Sequence, residues 1–222
     1  MRRMMGLVLG FVMMGTSGCA VTFATRSPWD IQQLAELSDQ LEQFKTLARL
    51  KAEEAEQLRQ AKTQLDQQLA GSATVGYDER GLVTRLLDRI LFDAGKATLR
   101  RSAFSVLDKV AEVLKDAPDQ PVGIEGHTDD QPIKHSGWAS NKALSEARAA
   151  AVADYLVQKR GLGPDRFISI GYGEDHPIAD NATAAGRQKN RRVEIVILPQ
   201  SAKRSYRGEA DRVSERGGPY TK

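Results

Sequence analysis

The chain has a single cysteine, Cys19, so no intramolecular disulfide can brace it. Aromatic residues make up 6% of its 222 residues, with only two tryptophans, so a core must come mainly from Leu, Val, Ile and Ala. The apolar run at residues 6–14 is too short to span a bilayer as a helix. No charge of one sign dominates either. Lys and Arg number 32 against 29 Asp and Glu, and a net charge of +3 is too weak to argue for nucleic acid, which is not expected as a partner. Even that surplus is local, because residues 199–222 carry six Lys or Arg and three acids and leave the rest neutral. With Gly217, Gly218 and Pro219 and little apolar content, 199–222 reads as a basic disordered tail. No G-x-S-x-G elbow surrounds Ser136, Ser145 or any other serine, so hydrolase chemistry has no nucleophile and no enzyme is expected.

The first residues are organised. Arg2 and Arg3 precede the apolar run, and Thr16-Ser17-Gly18-Cys19 is a small-residue end. This is the layout of an export signal over residues 1–18. It resembles a bacterial lipoprotein signal, which implies acylation of Cys19 as the new N-terminus. Ala20 in place of Asp then implies the outer membrane, with the rest in the periplasm. Each acyl CH₂ buried in lipid contributes about 0.8 kcal/mol. The alternative is a plain secretory signal with an incidental cysteine.

A linker over 19–29 leads to a long helical pattern over 30–70. Leu34, Leu37, Leu41, Phe44, Ala48, Lys51, Ala55, Leu58, Lys62, Leu65 and Leu69 alternate three and four apart, a heptad seam with two lysines in it. No Pro or Gly interrupts it before Gly71. Helix of this length would reach about 60 Å at 1.5 Å per residue. The pattern predicts a coiled-coil stalk that self-associates or pairs with a partner helix.

A domain follows over 73–198. Residues 74–77 read as a strand, 78–81 as a hairpin turn and 82–92 as strand-rich. Leu99, Ala103, Val106, Leu107, Val110, Val113 and Leu114 mark an amphipathic helix ended by Pro118. Residues 122–125, 167–171 and 191–198 read as strands, with a helix over 141–158 between the first two. Alternating strands and helices predict an α/β sandwich with the helices against one sheet.

One arginine breaks the pattern of that last helix. Leu144, Ala147, Ala151, Val152 and Tyr155 define an apolar stripe, and Arg148 falls inside it. A buried arginine needs a partner. Upstream, Gly126-His127-Thr128-Asp129-Asp130 supplies a clustered acidic turn. Arg148 could pair internally with Asp129 or Glu125, or the Arg and the Asp could grip a ligand carrying both charges. His127, Asp129, Asp130 and His135 could also be read as a metal cluster. A loop containing Pro132 and Gly137 fixes no ligand geometry, however, so a structural, hydrogen-bonded His127 and no metal are expected. Of Arg191 and Arg192, one is expected in an ion pair flanking the final strand and the other in solvent.

The run from Ile124-Glu125-Gly126-His127-Thr128-Asp129-Asp130 through Ile133 resembles the "GHTD" segment of the OmpA C-terminal-like family in its MotB variety. Phe92-Asp93, Asn141, Leu144-Ser145, Arg148-Ala149, Gly171-Tyr172-Gly173-Glu174, Pro177, Asn181, Thr183, Gly186-Arg187 and Asn190-Arg191-Arg192-Val193-Glu194-Ile195 continue the pattern. The resemblance covers about residues 82–198. It implies a βαβαββ sandwich, with two main helices on one mixed sheet, that binds peptidoglycan non-covalently through the diaminopimelate of the stem peptide. It implies that Asp129 accepts from the ligand ammonium and Arg148 holds a carboxylate. Phe92, Asp93, Thr128, Asn141 and Leu144 would line the pocket, and no cofactor is implied. The expected role is a lipid-anchored tether between outer membrane and cell wall. The alternative is an accessory MotB-like subunit of an envelope machine such as a flagellar motor or secretion system.

Overall fold

The computed structural model describes residues 28–133 and 137–215. The export signal, Cys19, residues 20–27 of the linker, His135, Ser136 and residues 216–222 lie outside the described residues. The chain divides into two units, Met1–Ala48 and Arg49–Lys222. Helix α1, Pro28–Gln68, crosses that boundary. In the first unit its apolar side chains Ile31, Leu34, Leu37, Leu41, Phe44 and Leu47 are all about half exposed or more.

The second unit is built on a five-stranded mixed sheet. Its strands are β1 Ala73–Tyr77, β2 Leu82–Leu87, β3 Val122–His127, β4 Phe167–Gly173 and β5 Arg192–Ile197. They lie in the order β1-β2-β5-β3-β4, with β3 and β4 parallel and the other pairs antiparallel. Helix α2, Asp88–Leu91, follows β2; α3, Arg101–Asp116, precedes β3; α4, Asn141–Asp154, joins β3 to β4; α5, Ala184–Asn190, precedes β5. From β2 to β5 the two main helices give the expected βαβαββ order, and β1 adds a hairpin at the edge.

Alternation on the strands sets the two faces. Val122 and Ile124 of β3 and Val193, Ile195 and Ile197 of β5 join the core beneath α3 and α4. Helix α4 lies unusually close. A Cβ on Gly126 would sit 2.0 Å from the Ser145 carbonyl oxygen, so only glycine allows this approach. That contact fixes α4, and with it Arg148, against the end of β3.

Three expectations change. The strand-rich stretch 82–92 is broken, because β2 stops at Leu87 and α2 turns the chain. Consecutive residues of a strand face opposite ways; the helical turn lets Leu91 and Phe92 both enter the same core. The second change concerns the seam. Leu58, Leu65 and Leu69, with Ala61, are buried in the core of the domain rather than available to a coil. Lys62 stays at the surface, paired with Asp66. Third, residues 199–215 are not a disordered tail. A short 3₁₀ turn, Gln200–Ala202, leads into α6, Lys203–Glu215, whose Tyr206 is buried with Val83, Ile168, Ile170, Tyr172, Val196 and Leu198 on the sheet face away from α3 and α4. One buried aromatic and the apolar Ala202, Ala210 and Val213 beside it are enough to seat a helix that is otherwise charged.

Candidate functional site

Three adjacent strands end level with one another. Leu87 of β2 and His127 of β3 are both in register with Arg192 of β5. The residues just beyond them, Asp88, Thr128, Asp129 and Arg191, therefore meet at one edge of the sheet. Helix α4 brings Arg148 to the same place. Its start is fixed by Ser140, whose hydroxyl accepts from the Ala143 N–H at 3.1 Å, an N-cap. The intervening loop is pinned at two points. Trp138 Nε1 donates to the Gly95 carbonyl at 2.9 Å, and Asn141 Nδ2 donates to the Gln131 carbonyl at 3.1 Å and to Glu174 Oε2 at 2.6 Å. Between these groups lies a pocket of about 360 Å³, lined by Asp88, Thr128, Asp129, Asn141, Leu144, Arg148 and Arg191 among others.

Four charges form its floor. Arg148 is 3% exposed. Its Nε donates to the Lys96 carbonyl at 3.0 Å and its Nη1 lies 3.4 Å from Asp88 Oδ2. The guanidinium also sits 5.2 Å from the centre of the Phe92 ring, a cation–π contact. Arg191 bridges the two acids: Nη1 donates to Asp129 Oδ2 and Nε lies 3.6 Å from Asp88 Oδ2. Burial raises the Asp88 carboxyl above its ordinary 3.8, and the two arginines only partly offset that. Burial likewise lowers the Arg148 guanidinium, with Asp88 countering it, yet an arginine keeps its charge in a protein. The contact from Arg148 to Asp88 is a single long one. It does not match the parallel two-pronged geometry in which a guanidinium holds a carboxylate best. Among the described residues the buried Thr128 Oγ1 has no hydrogen-bond partner.

The structure therefore brings together Thr128, Asp129, Asn141, Leu144 and Arg148, with Phe92 packed beneath. Asp93 is outside the pocket: its half-exposed carboxylate lies 3.7 Å from Lys96 and 3.6 Å from Arg100. Asp129 and Arg148 do not pair with each other, nor does Arg148 pair with Glu125. Each is held by a different partner, and those partners, Arg191 and Asp88, were not expected at the site. The sequence suggests Arg191 as a strand flank or a solvent residue; it is Arg192 that lies buried in β5, with Nε donating to Glu194 Oε1 at 2.7 Å. The metal cluster of His127 with Asp129 and Asp130, which the sequence argues against, is not assembled. His127 points to the other sheet face, its ring stacked 5.3 Å from that of Tyr172. It is buried, but neither ring nitrogen has a hydrogen-bond partner among the described residues.

Comparison with known proteins supplies the remaining facts. The model of the family described as the OmpA family matches residues 91–191. Motility protein B of Bacillus subtilis is 38% identical over 157 residues, which are 68% of this chain and 60% of that protein. The peptidoglycan-binding protein ArfA of Mycobacterium tuberculosis is 44% identical over 108 residues, 49% of this chain and 32% of that protein. The chain thus spans less than two thirds of the length of these curated relatives. Among solved structures, the cell wall anchor of the T6SS from Pseudomonas aeruginosa superposes with a TM-score of 0.55 and 33% identity, covering 62% of this chain and 99% of that one.

Proposed function

This chain belongs to the OmpA family through its domain matched at residues 91–191, and from that premise we propose that it binds peptidoglycan non-covalently through the diaminopimelate of the stem peptide. Relatives whose names declare peptidoglycan binding or cell-wall anchoring support the ligand class. The observation that carries the reading is the state of Arg148. It is 3% exposed at the base of a pocket, where its Nε donates to the Lys96 carbonyl and its one carboxylate neighbour, Asp88, makes a single long contact instead of a matched fork. The free end of diaminopimelate is a zwitterion. Its carboxylate fits the fork of Arg148, and its ammonium fits Asp129, whose second oxygen Oδ1 accepts, among the described residues, only a 3.3 Å bond from the Gln131 N–H. Thr128 Oγ1 adds a hydroxyl at the same wall. A stem peptide with lysine in this position lacks the carboxylate and would leave Arg148 unmatched in a poorly solvated site, which such sites reject strongly. Residues 28–222 are expected to be retained on diaminopimelate-type sacculi and not on lysine-type sacculi in a sedimentation assay. Equal retention on both would sink the reading.

With acylation at Cys19, this activity would tether the outer membrane to the cell wall. A second reading is an accessory place in an envelope machine, and the exposed apolar stripe from Ile31 to Leu47 favours it. Among the described residues no helix is long and apolar enough to cross a membrane. A photo-cross-linker at Leu41 is expected to capture a distinct protein in cells under that reading. Capture of only the chain itself would leave the tether alone.

A further inference from the structure

The face of the sheet away from α4 carries a charged cluster that the peptidoglycan reading does not use. Arg85 of β2 and Glu125 of β3 are both in register with Glu194 of β5. Two glutamates thus stand directly opposite each other, with side chains 0% and 1% exposed, an arrangement of like charges that a sheet tolerates only with a cation between them. That cation is Arg80, from the turn between β1 and β2. Its Nη1 donates to Glu125 Oε2 and its Nη2 to Glu194 Oε2 at 2.6 Å. His127 completes the group from the next inward position of β3, with Nε2 3.5 Å from Glu125 Oε2. Ligand atoms of Glu125, His127 and Glu194 all lie within 4.8 Å of one another.

We propose that Glu125, His127 and Glu194 form a binding site for a divalent transition-metal ion of the zinc type, in which Arg80 is the exchangeable internal cation. Four features support it. Among the described residues the buried imidazole has no hydrogen-bond partner on either nitrogen, and its Nε2 faces the Glu125 carboxylate. The oxygens that would coordinate are those that Arg80 now holds, while the other oxygen of each carboxylate is already oriented. Tyr206 donates to Glu125 Oε1, and Arg85 and Arg192 donate to Glu194 Oε1 at 3.0 and 2.7 Å. Such outer partners are what fix ligating carboxylates in metal sites. Arg80 has somewhere to go, since its Nη2 also pairs with Asp78 on its own turn at 2.5 Å. Finally, the cluster opens to a groove of about 1050 Å³ that gives a metal ion a path in and leaves a coordination position for water. One imidazole and two carboxylates suit zinc.

The test is calorimetric titration of zinc chloride into the full chain carrying Cys19→Ser, so that no thiol competes. The expected result is one equivalent of zinc at micromolar affinity. Arg80→Ala should bind about tenfold more tightly, since the resident cation is gone, and should gain more melting temperature from zinc than the parent. His127→Phe, which keeps an aromatic ring on Tyr172, should abolish binding. The imidazole nitrogen resonances of the parent protein provide a check that needs no folded variant: the His127 signal should shift at one equivalent, with those of His135 and His176 unmoved. No binding to either the parent or Arg80→Ala would overturn the proposal. So would binding confined to Arg80→Ala, which would make Arg80 a permanent occupant, or binding that shifts only His135 or His176.

Discussion

Arg148→Ala is expected to weaken retention on diaminopimelate-type sacculi about 100-fold, enough to lose it in a sedimentation assay. The size follows from what the ligand carboxylate loses. It enters a pocket whose guanidinium is 3% exposed and stands over the Phe92 ring, where water cannot replace a two-pronged, charge-assisted pair. Arg148→Lys should recover little, because an ammonium supplies the charge without the parallel donors. Asp129→Asn should cost binding too, by turning the acceptor of the ligand ammonium into a neutral amide. These losses must appear without matching losses of fold. Asp88 retains Arg191 at 3.6 Å when Arg148 is gone, so its carboxylate is not left without a cation. Binding by Arg148→Ala within threefold of the parent would make the Asp88–Arg148 contact purely structural. Full recovery by Arg148→Lys would replace the fork with a simple charge attraction.

Arg148 was legible in the sequence because a helix stripe has a strict period and a charge inside it stands out. Its partners were not. Asp88 and Arg191 reach the pocket only because β2, β5 and β3 end in register at Leu87, Arg192 and His127, and strand register is a long-range fact that local pattern does not carry. The same gap left open which acid meets Arg148. Composition says that an acid and a base will meet, but not which of several acids takes which base. Asp93 lies apart from the other site residues for a local reason: past the short helix α2 the residue next to a buried Phe92 faces solvent. The helical seam shows another limit. Leu58, Leu65 and Leu69 have the spacing of a coiled coil, and equally that of any helix packed on a core. Periodicity identifies an apolar face and is silent about what covers it. Here the domain covers those residues itself, whereas Leu34 to Leu47 of the first unit keep theirs exposed.

The second large effect concerns the segment first read as a disordered tail. A chain ending at Leu198 is expected to melt about 15 °C below the parent. Tyr206 is 8% exposed and fills the space that Gly123 leaves free; a Cβ at Gly123 would lie 2.2 Å from its hydroxyl oxygen. Removing a packed aromatic of this kind costs about 3–5 kcal/mol. Loss of its hydroxyl adds to that, because Glu125, buried completely, loses a donor to Oε1 and keeps only Arg80 as a strong partner. Val83, Ile168, Ile170 and Val196 would also meet water once α6 is gone. At about 2–4 °C per kcal/mol for a domain of this size, these losses place the shift well outside experimental scatter. Tyr206→Phe separates the two contributions: it keeps the packing and should lower the midpoint by only a few degrees. A truncated chain that melts with the parent would mean that α6 rests on the sheet without stabilising it. The peptidoglycan pocket gives the complementary control. It is lined by Asp88, Thr128, Asp129, Asn141, Arg148 and Arg191, none of which bonds to α6 among the described residues, although Lys142 of α4 donates to the Val213 carbonyl, so the truncated chain held well below its melting point should still bind diaminopimelate-type sacculi. Loss of stability with binding intact is the pattern that distinguishes a helix that braces the sheet from one that builds the site.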